Sequence, residues 1–241
     1  MIKQLSQRLL GPVTLALLVL TIWLGLWVTP EDRIQGNLVR LLYVHPAVAW
    51  VALYVSFGTS VIASCLYLWK RTRSVVMDRI AYCAMEISAV FLALTLITGS
   101  IWGRPTWGVW WAWDARLTST AILLVFALGY LALRRANDDF ELRARRSAVF
   151  AIIAAINVPI DHFSVDWWHT LHQGASVFTE NGNFLVHGSM LVTLFISLFA
   201  FTLLFFWLLR ARYRLEVRRD ERQASSLEEA LDQRRREGAV H

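Results

Sequence analysis

Cysteine chemistry is nearly missing from this sequence. Its two cysteines, Cys65 and Cys83, form no Cys-x-x-Cys pair and no zinc-like spacing. Without Cys-x-x-Cys-His the chain is not itself a c-type cytochrome, and both thiols read as small apolar packing residues. Charge is scarce too: 17% of residues are charged against 56% apolar, and the mean hydropathy is +0.46. A soluble chain could not hide that much apolar surface. The one or two soluble domains that 241 residues would allow are therefore excluded. The chain also lacks an internal repeat and a low-complexity tract, and its one long polar segment is at the C-terminal end.

Long apolar runs are what it has. Stretches at about 10–29, 41–69, 80–102, 117–133, 147–160 and 184–209 stand out. Roughly 20 apolar residues cross a bilayer. The first run follows Lys3 and Arg8 as in a signal peptide, but it is long for a signal core and has no clear small-x-small exit, so it reads as a transmembrane helix. The fifth is the weakest, with Asn157 and Pro159 near its end. Without it, Arg143, Arg145 and Arg146 would lie on the wrong side.

Lys and Arg number 20 in the segments before 10, at 70–79, at 134–146 and after 209, against 4 in the segments 30–40, 103–116 and 161–183. The positive-inside rule then makes both termini cytoplasmic. This bias also accounts for the net charge of +6 without invoking nucleic acid. The expected architecture is all-α: a six-helix membrane domain at 1–209, a charged cytoplasmic tail at 210–241 and a Trp-rich outward loop at 102–119. The tail reads as a solvated helix with near-neighbour ion pairs, open either to a cytoplasmic partner or to anionic lipid.

Five of the 12 tryptophans fall between Trp102 and Trp113. An interfacial aromatic belt explains Trp23, Trp27, Trp50, Trp69 and Trp207, but not this density. If 107–114 forms a helical turn on the membrane, Trp107, Trp110 and Trp111 share one face, with Trp113 beside them. Such a floor suits a large, flat, apolar ligand. Arg104, Asp114 and Arg116 flank it. The arginines either grip carboxylates, such as haem propionates, or snorkel to headgroups. Asp114 either pairs with Arg116 or caps the fourth span.

Haem iron needs axial ligands, usually His. His45, His162, His169, His172 and His187 all fall in outward loops or outward halves of spans. His45 precedes Pro46, which places it at a helix start with its side chain toward the outer surface. His169 and His172 follow Trp167 and Trp168, and spacing alone allows either. One His from each of two loops gives a bis-histidine site that stores or passes on haem rather than running oxygen chemistry.

The stretch Trp102-Gly103-Arg104-Pro105-Thr106-Trp107-Gly108-Val109-Trp110-Trp111-Ala112-Trp113-Asp114-Ala115-Arg116-Leu117-Thr118-Ser119 resembles the signature of the Trp-Trp-Asp haem-handling membrane proteins. The similarity is greatest to the haem exporter protein C family of the cytochrome c maturation system. Trp167-Trp168 through His172-Gln173-Gly174 is similar as well, and the likeness covers about 10–210. The resemblance implies that His45 and His172 are the axial ligands of haem b, and that the Trp loop presents haem to the periplasmic chaperone CcmE. It also implies a complex with the ABC-transporter subunits CcmA and CcmB and the small membrane protein CcmD, in a bacterial inner membrane. Two positions depart from the family pattern. Pro46 follows His45 directly where the family has Tyr-x-His-x-Pro, and Thr120 replaces an acidic residue after Leu-Thr-Ser.

Two other classes compete. Glu86, a carboxylate within the third span, is the best sign of an ion or solute transporter, although a polar interhelical contact explains it too. A passive assembly scaffold is the other. A larger relative with this signature would suggest a thioether-forming lyase, but no nucleophile–base set is visible, so a non-enzyme is expected.

Overall fold

The computed structural model describes residues 2–69, 73–174 and 186–238, with side chains from residue 9 to residue 236. Helix is the only regular element among them: α1 (Ile2–Trp23), α2 (His45–Trp50), α3 (Phe57–Trp69), α4 (Val75–Trp107), α5 (Ala115–Arg135), α6 (Phe140–Ala154), α7 (Asn157–Trp167) and α8 (Gly188–Gly238). A π-helical turn, Leu24–Val28, extends α1. A second, Val51–Ser56, joins α2 to α3, and a 3-10 segment, Asn37–Tyr43, leads into α2. Among the described residues, six helical segments are long and apolar enough to cross a membrane: Leu9–Val28, Asn37–Trp69, Val75–Trp107, Ala115–Arg135, Phe140–Trp167 and Gly188–Arg236. All six expected spans are present, several of them longer than their apolar cores.

The fifth span shows why its apolar signal was short. Proline at position 159 cannot donate to the carbonyl of Ala155, and its ring crowds that carbonyl. The helix breaks at 155–156, between α6 and α7, and then resumes to Trp167. Asn157 just past the break donates its amide to the Ser119 carbonyl at 2.8 Å. Asp161 and His162, expected at a loop boundary, are therefore helical.

Spans α4 and α3 pack together, α1 lies on α8, and α5 contacts α4, α6 and α7. The interfaces use small residues, which let backbones approach where lipid offers no hydrophobic drive. Ser60 donates to the Ala81 carbonyl at 2.8 Å and Ser88 to the Ala52 carbonyl at 2.9 Å. The central core gathers Val51, Phe57, Met85, Leu92, Leu123 and Phe205. Gly11 of α1 faces Trp207 of α8, while Gly25 faces Tyr43, whose carbonyl accepts from Ser197. The N-terminal end of α1 and the polar half of α8 thus share one end of the bundle, and the Trp-rich segment lies at the other.

Helix α8 runs unbroken past residue 209 to Gly238. The tail contains near-neighbour pairs, Arg212–Glu216 and Asp232–Arg235. Its first turns also dock on α4, through Arg212–Glu86 at 2.7 Å and Arg79–Asp220 at 2.6 Å. Glu86 is therefore the interhelical contact anticipated as its alternative. Cys65 and Cys83 are free thiols.

Candidate functional site

The Trp-rich segment is not a helical turn. Helix α4 carries Trp102, Arg104 and Trp107 to its end, and residues 108–114 are bends and coil. Proline at position 105 and the left-handed Gly108 (φ 81°) stop the helix, with the Gly108 N–H on the Arg104 carbonyl at 3.0 Å. Trp107, Trp110 and Trp111 therefore do not form one helical face. Trp111 and Trp113 meet edge to face at 5.5 Å, and the Trp111 indole N–H is buried with no partner among the described residues. Trp110 and Trp113 are 61% and 84% exposed, too open for a finished apolar floor.

Two glycines one turn apart on α4 shape the site. His45 lies over Gly99, and Trp107 folds back over Gly103. A Cβ at Gly103 would sit 2.8 Å from the Trp107 ring, and one at Gly99 would sit 3.1 Å from His45 Cε1. Bare backbone at Gly103 lets the Trp107 ring lie against the helix, and a Cβ at Gly99 would push the His45 ring away by a few tenths of an ångström. The Gly-x-x-x-Gly spacing of 99 and 103 was a readable signal that the sequence reading missed.

His45 starts α2, as its position before Pro46 implied, but its side chain turns into the bundle rather than to the outer surface. Nδ1 lies 2.9 Å from Thr98 Oγ1, and the ring meets Trp102 edge-on at 5.9 Å. The turn inward is physically reasonable: Thr98 satisfies one ring nitrogen and Gly99 makes room. Trp102 in turn donates to Gln35 Oε1 at 2.9 Å, tying α4 to the 30–40 segment.

His172 comes from the loop after α7. Its ring lies 6.4 Å from Trp107, and Nδ1 is 2.9 Å from the Gln173 carbonyl, the geometry of a donating N–H. That tautomer leaves Nε2 as a lone-pair donor. Burial pushes the His172 pKa down, the Gln173 carbonyl and the Asp114 and Asp161 carboxylates oppose this, and the Arg116 guanidinium adds to it. The neutral imidazole, the form that ligates iron, is favoured. His45 packs against Trp102 and His172 against Trp107, five positions apart on α4. His169 and His172 do not share a helix face, because residues 168–174 are bends and coil, and His169 is exposed. His187 is exposed before α8, and His162 pairs with Tyr54 at 2.5 Å.

Asp114 does two jobs. One carboxylate oxygen caps α5 by accepting from the Leu117 N–H at 2.8 Å, and the other accepts from the Leu171 N–H at 3.1 Å. It thereby stitches the Trp-rich segment to the loop that carries His172, instead of forming an ion pair with Arg116. Arg104 donates to the Gly108 carbonyl at 2.7 Å. Arg116 donates to Ser164 Oγ at 3.0 Å and to the His162 carbonyl at 2.7 Å. Trp167 ends α7 stacked on Phe163 at 5.5 Å, and Trp168 meets Trp167 at 5.7 Å. Among the described residues, neither ring makes a ring contact with Trp107 or His172.

The family model described as heme exporter protein C matches residues 1–228. This chain belongs to the heme exporter protein C family. The Bradyrhizobium diazoefficiens protein named heme exporter protein C is 42% identical over 218 residues, 89% of this chain and 81% of that protein. The Haemophilus influenzae protein of that name is 41% identical, over 87% of this chain and 83% of its own length. The Escherichia coli family member is 39% identical, over 78% and 75%. The family match includes both histidine-bearing segments and the whole Trp-rich stretch.

Proposed function

We propose that the chain is the haem-binding membrane component of cytochrome c biogenesis. It accepts haem b at the Trp-rich end and presents it to a periplasmic haem chaperone of the CcmE kind, acting with ABC-transporter subunits CcmA and CcmB and the small membrane protein CcmD. In this reading haem is cargo, and the chain transfers it without catalysing a reaction. The bundle spans a bacterial inner membrane with both termini cytoplasmic and the Trp-rich end periplasmic, in keeping with the 20-to-4 division of Lys and Arg.

One observation carries the reading. Histidines 127 positions apart in sequence converge on the same end of α4, His45 against Trp102 and His172 against Trp107. The donor set fits haem: two imidazoles with their other nitrogen engaged, indole faces beside them, and a buried indole N–H at Trp111 without a partner among the described residues. Arg104 and Arg116 make hydrogen bonds only to neutral acceptors among the described residues, so their charge is available to propionates. The names of the relatives support the same cargo. The transporter alternative rested on a lone intramembrane Glu86, which has an arginine partner.

The test is the absorption spectrum of the purified chain. A low-spin Soret band is expected, and His45→Ala or His172→Ala should each remove it and abolish c-type cytochrome assembly. Unchanged spectra and assembly in both variants would defeat the ligand assignment. A wild-type protein that carries no haem under any expression condition would defeat the whole reading.

A further inference from the structure

Asp161 is a carboxylate in the fifth span, 1% exposed, that the haem reading does not use. Its Oδ1 is 2.7 Å from both Ser119 Oγ and Thr120 Oγ1 on α5. Each hydroxyl also has a backbone rival, Ser119 at 2.7 Å from the Ala115 carbonyl and Thr120 at 2.8 Å from the Arg116 carbonyl. A hydroxyl has one proton to give, and a carboxylate is the stronger acceptor. The Asp161 carbonyl accepts from Ser164 Oγ at 2.7 Å, and Ser164 accepts in turn from Arg116 Nε at 3.0 Å. Asp161 and Arg116 are thus held in one joint between α5 and α7 through neutral links, with no ion pair between them among the described residues.

A bare interhelical clasp does not need an acid. An Asn would accept from the same hydroxyls without the cost of desolvating a charge. Buried carboxylates within membrane spans are functional candidates for that reason. The first turn of α5 that Asp161 clasps is capped by Asp114, which also accepts from the Leu171 N–H next to His172.

We propose that Asp161 is the fixed negative charge of the haem site, lowering the midpoint potential of the bound iron through its field. This rests on the reading of His45 and His172 as the haem site. Ferric haem carries one positive charge more than ferrous haem, so a nearby buried anion favours the oxidised form.

The experiment is a spectroelectrochemical titration of the full chain loaded with haem in lipid nanodiscs, comparing wild type with Asp161→Asn. The amide keeps an acceptor for Ser119 and Thr120 and removes only the charge. The expected result is an unchanged Soret position with a ferric-to-ferrous ratio about tenfold lower at fixed potential, a rise in midpoint of about 59 mV for a one-electron couple. Asp161→Glu, which keeps the charge, should stay near wild type. Asp161→Ser provides a second neutral variant should the amide not fold, and it should shift in the same direction. An unchanged midpoint in the neutral variants, or loss of haem without a shift, makes Asp161 a structural clasp and overturns the inference. Absence of a bis-histidine spectrum in the wild type overturns the haem site itself, and this inference with it.

Discussion

The two ends of the bundle treat arginine in opposite ways. At the tail end several guanidinium groups face carboxylates, although Arg146 donates to Asn137 Oδ1. Arg134 grips Asp78 through two bonds of 2.5 and 2.8 Å, with both side chains buried, and lies over the Tyr82 ring at 4.7 Å. Arg212 and Arg79 hold Glu86 and Asp220. At the Trp-rich end Arg40, Arg104 and Arg116 bond to neutral oxygens: Asn37 and the Gly25 carbonyl, the Gly108 carbonyl, and Ser164 with the His162 carbonyl. All the ion pairs found among the described residues lie toward the tail end. A neutral acceptor orients a guanidinium without cancelling its charge. The tail end uses arginine to lock helices, whereas the other end, in the function proposed, keeps positive charge available for an anionic ligand.

The contrast is best broken at its tightest point. Asp78→Asn should leave a buried guanidinium uncompensated, costing about 3–5 kcal/mol. A sharp fall in the melting temperature in detergent is expected. Pairing it with Arg134→Met should recover most of that loss, because a buried pair replaced by apolar groups is often neutral. Recovery that fails would show the pair to be worth more than its own desolvation. Arg116→Gln comes next. Losing its charged hydrogen bonds should cost about 1.5–3 kcal/mol, but the larger consequence should appear in haem occupancy, read from the Soret band per chain. A variant with full occupancy would contradict the idea of reserved charge. The smallest effect is expected for Arg79→Ala. Its pair with Asp220 is partly exposed, so at most about 1 kcal/mol should go, with haem content unaltered.

The six spans were legible because a hydrocarbon-spanning run is a property of local composition. The fifth was legible only in part. Its interruption at 155–156 follows from Pro159, yet the continuation through Asp161 and His162 depends on contacts with α5 that no local pattern announces. The helical platform of tryptophans failed for the converse reason. The 3.6-residue spacing of Trp107, Trp110 and Trp111 was real, but Pro105 and Gly108 end the helix before that spacing can act. His45 was placed at the correct helix start and given the wrong direction, because its partner Thr98 lies 53 positions away.

The sequence alone determined the class of molecule: apolar runs, charge bias and the Trp and His residues near one end are read residue by residue. Tertiary structure decided which of those residues meet. It laid His45 on Gly99 and Trp107 on Gly103, gave Asp114 the task of joining two loops, and buried Asp161 in a helix rather than leaving it in solvent. Composition acts through the surrounding solvent or lipid at each residue, whereas these contacts depend on the packing of helices distant in the chain.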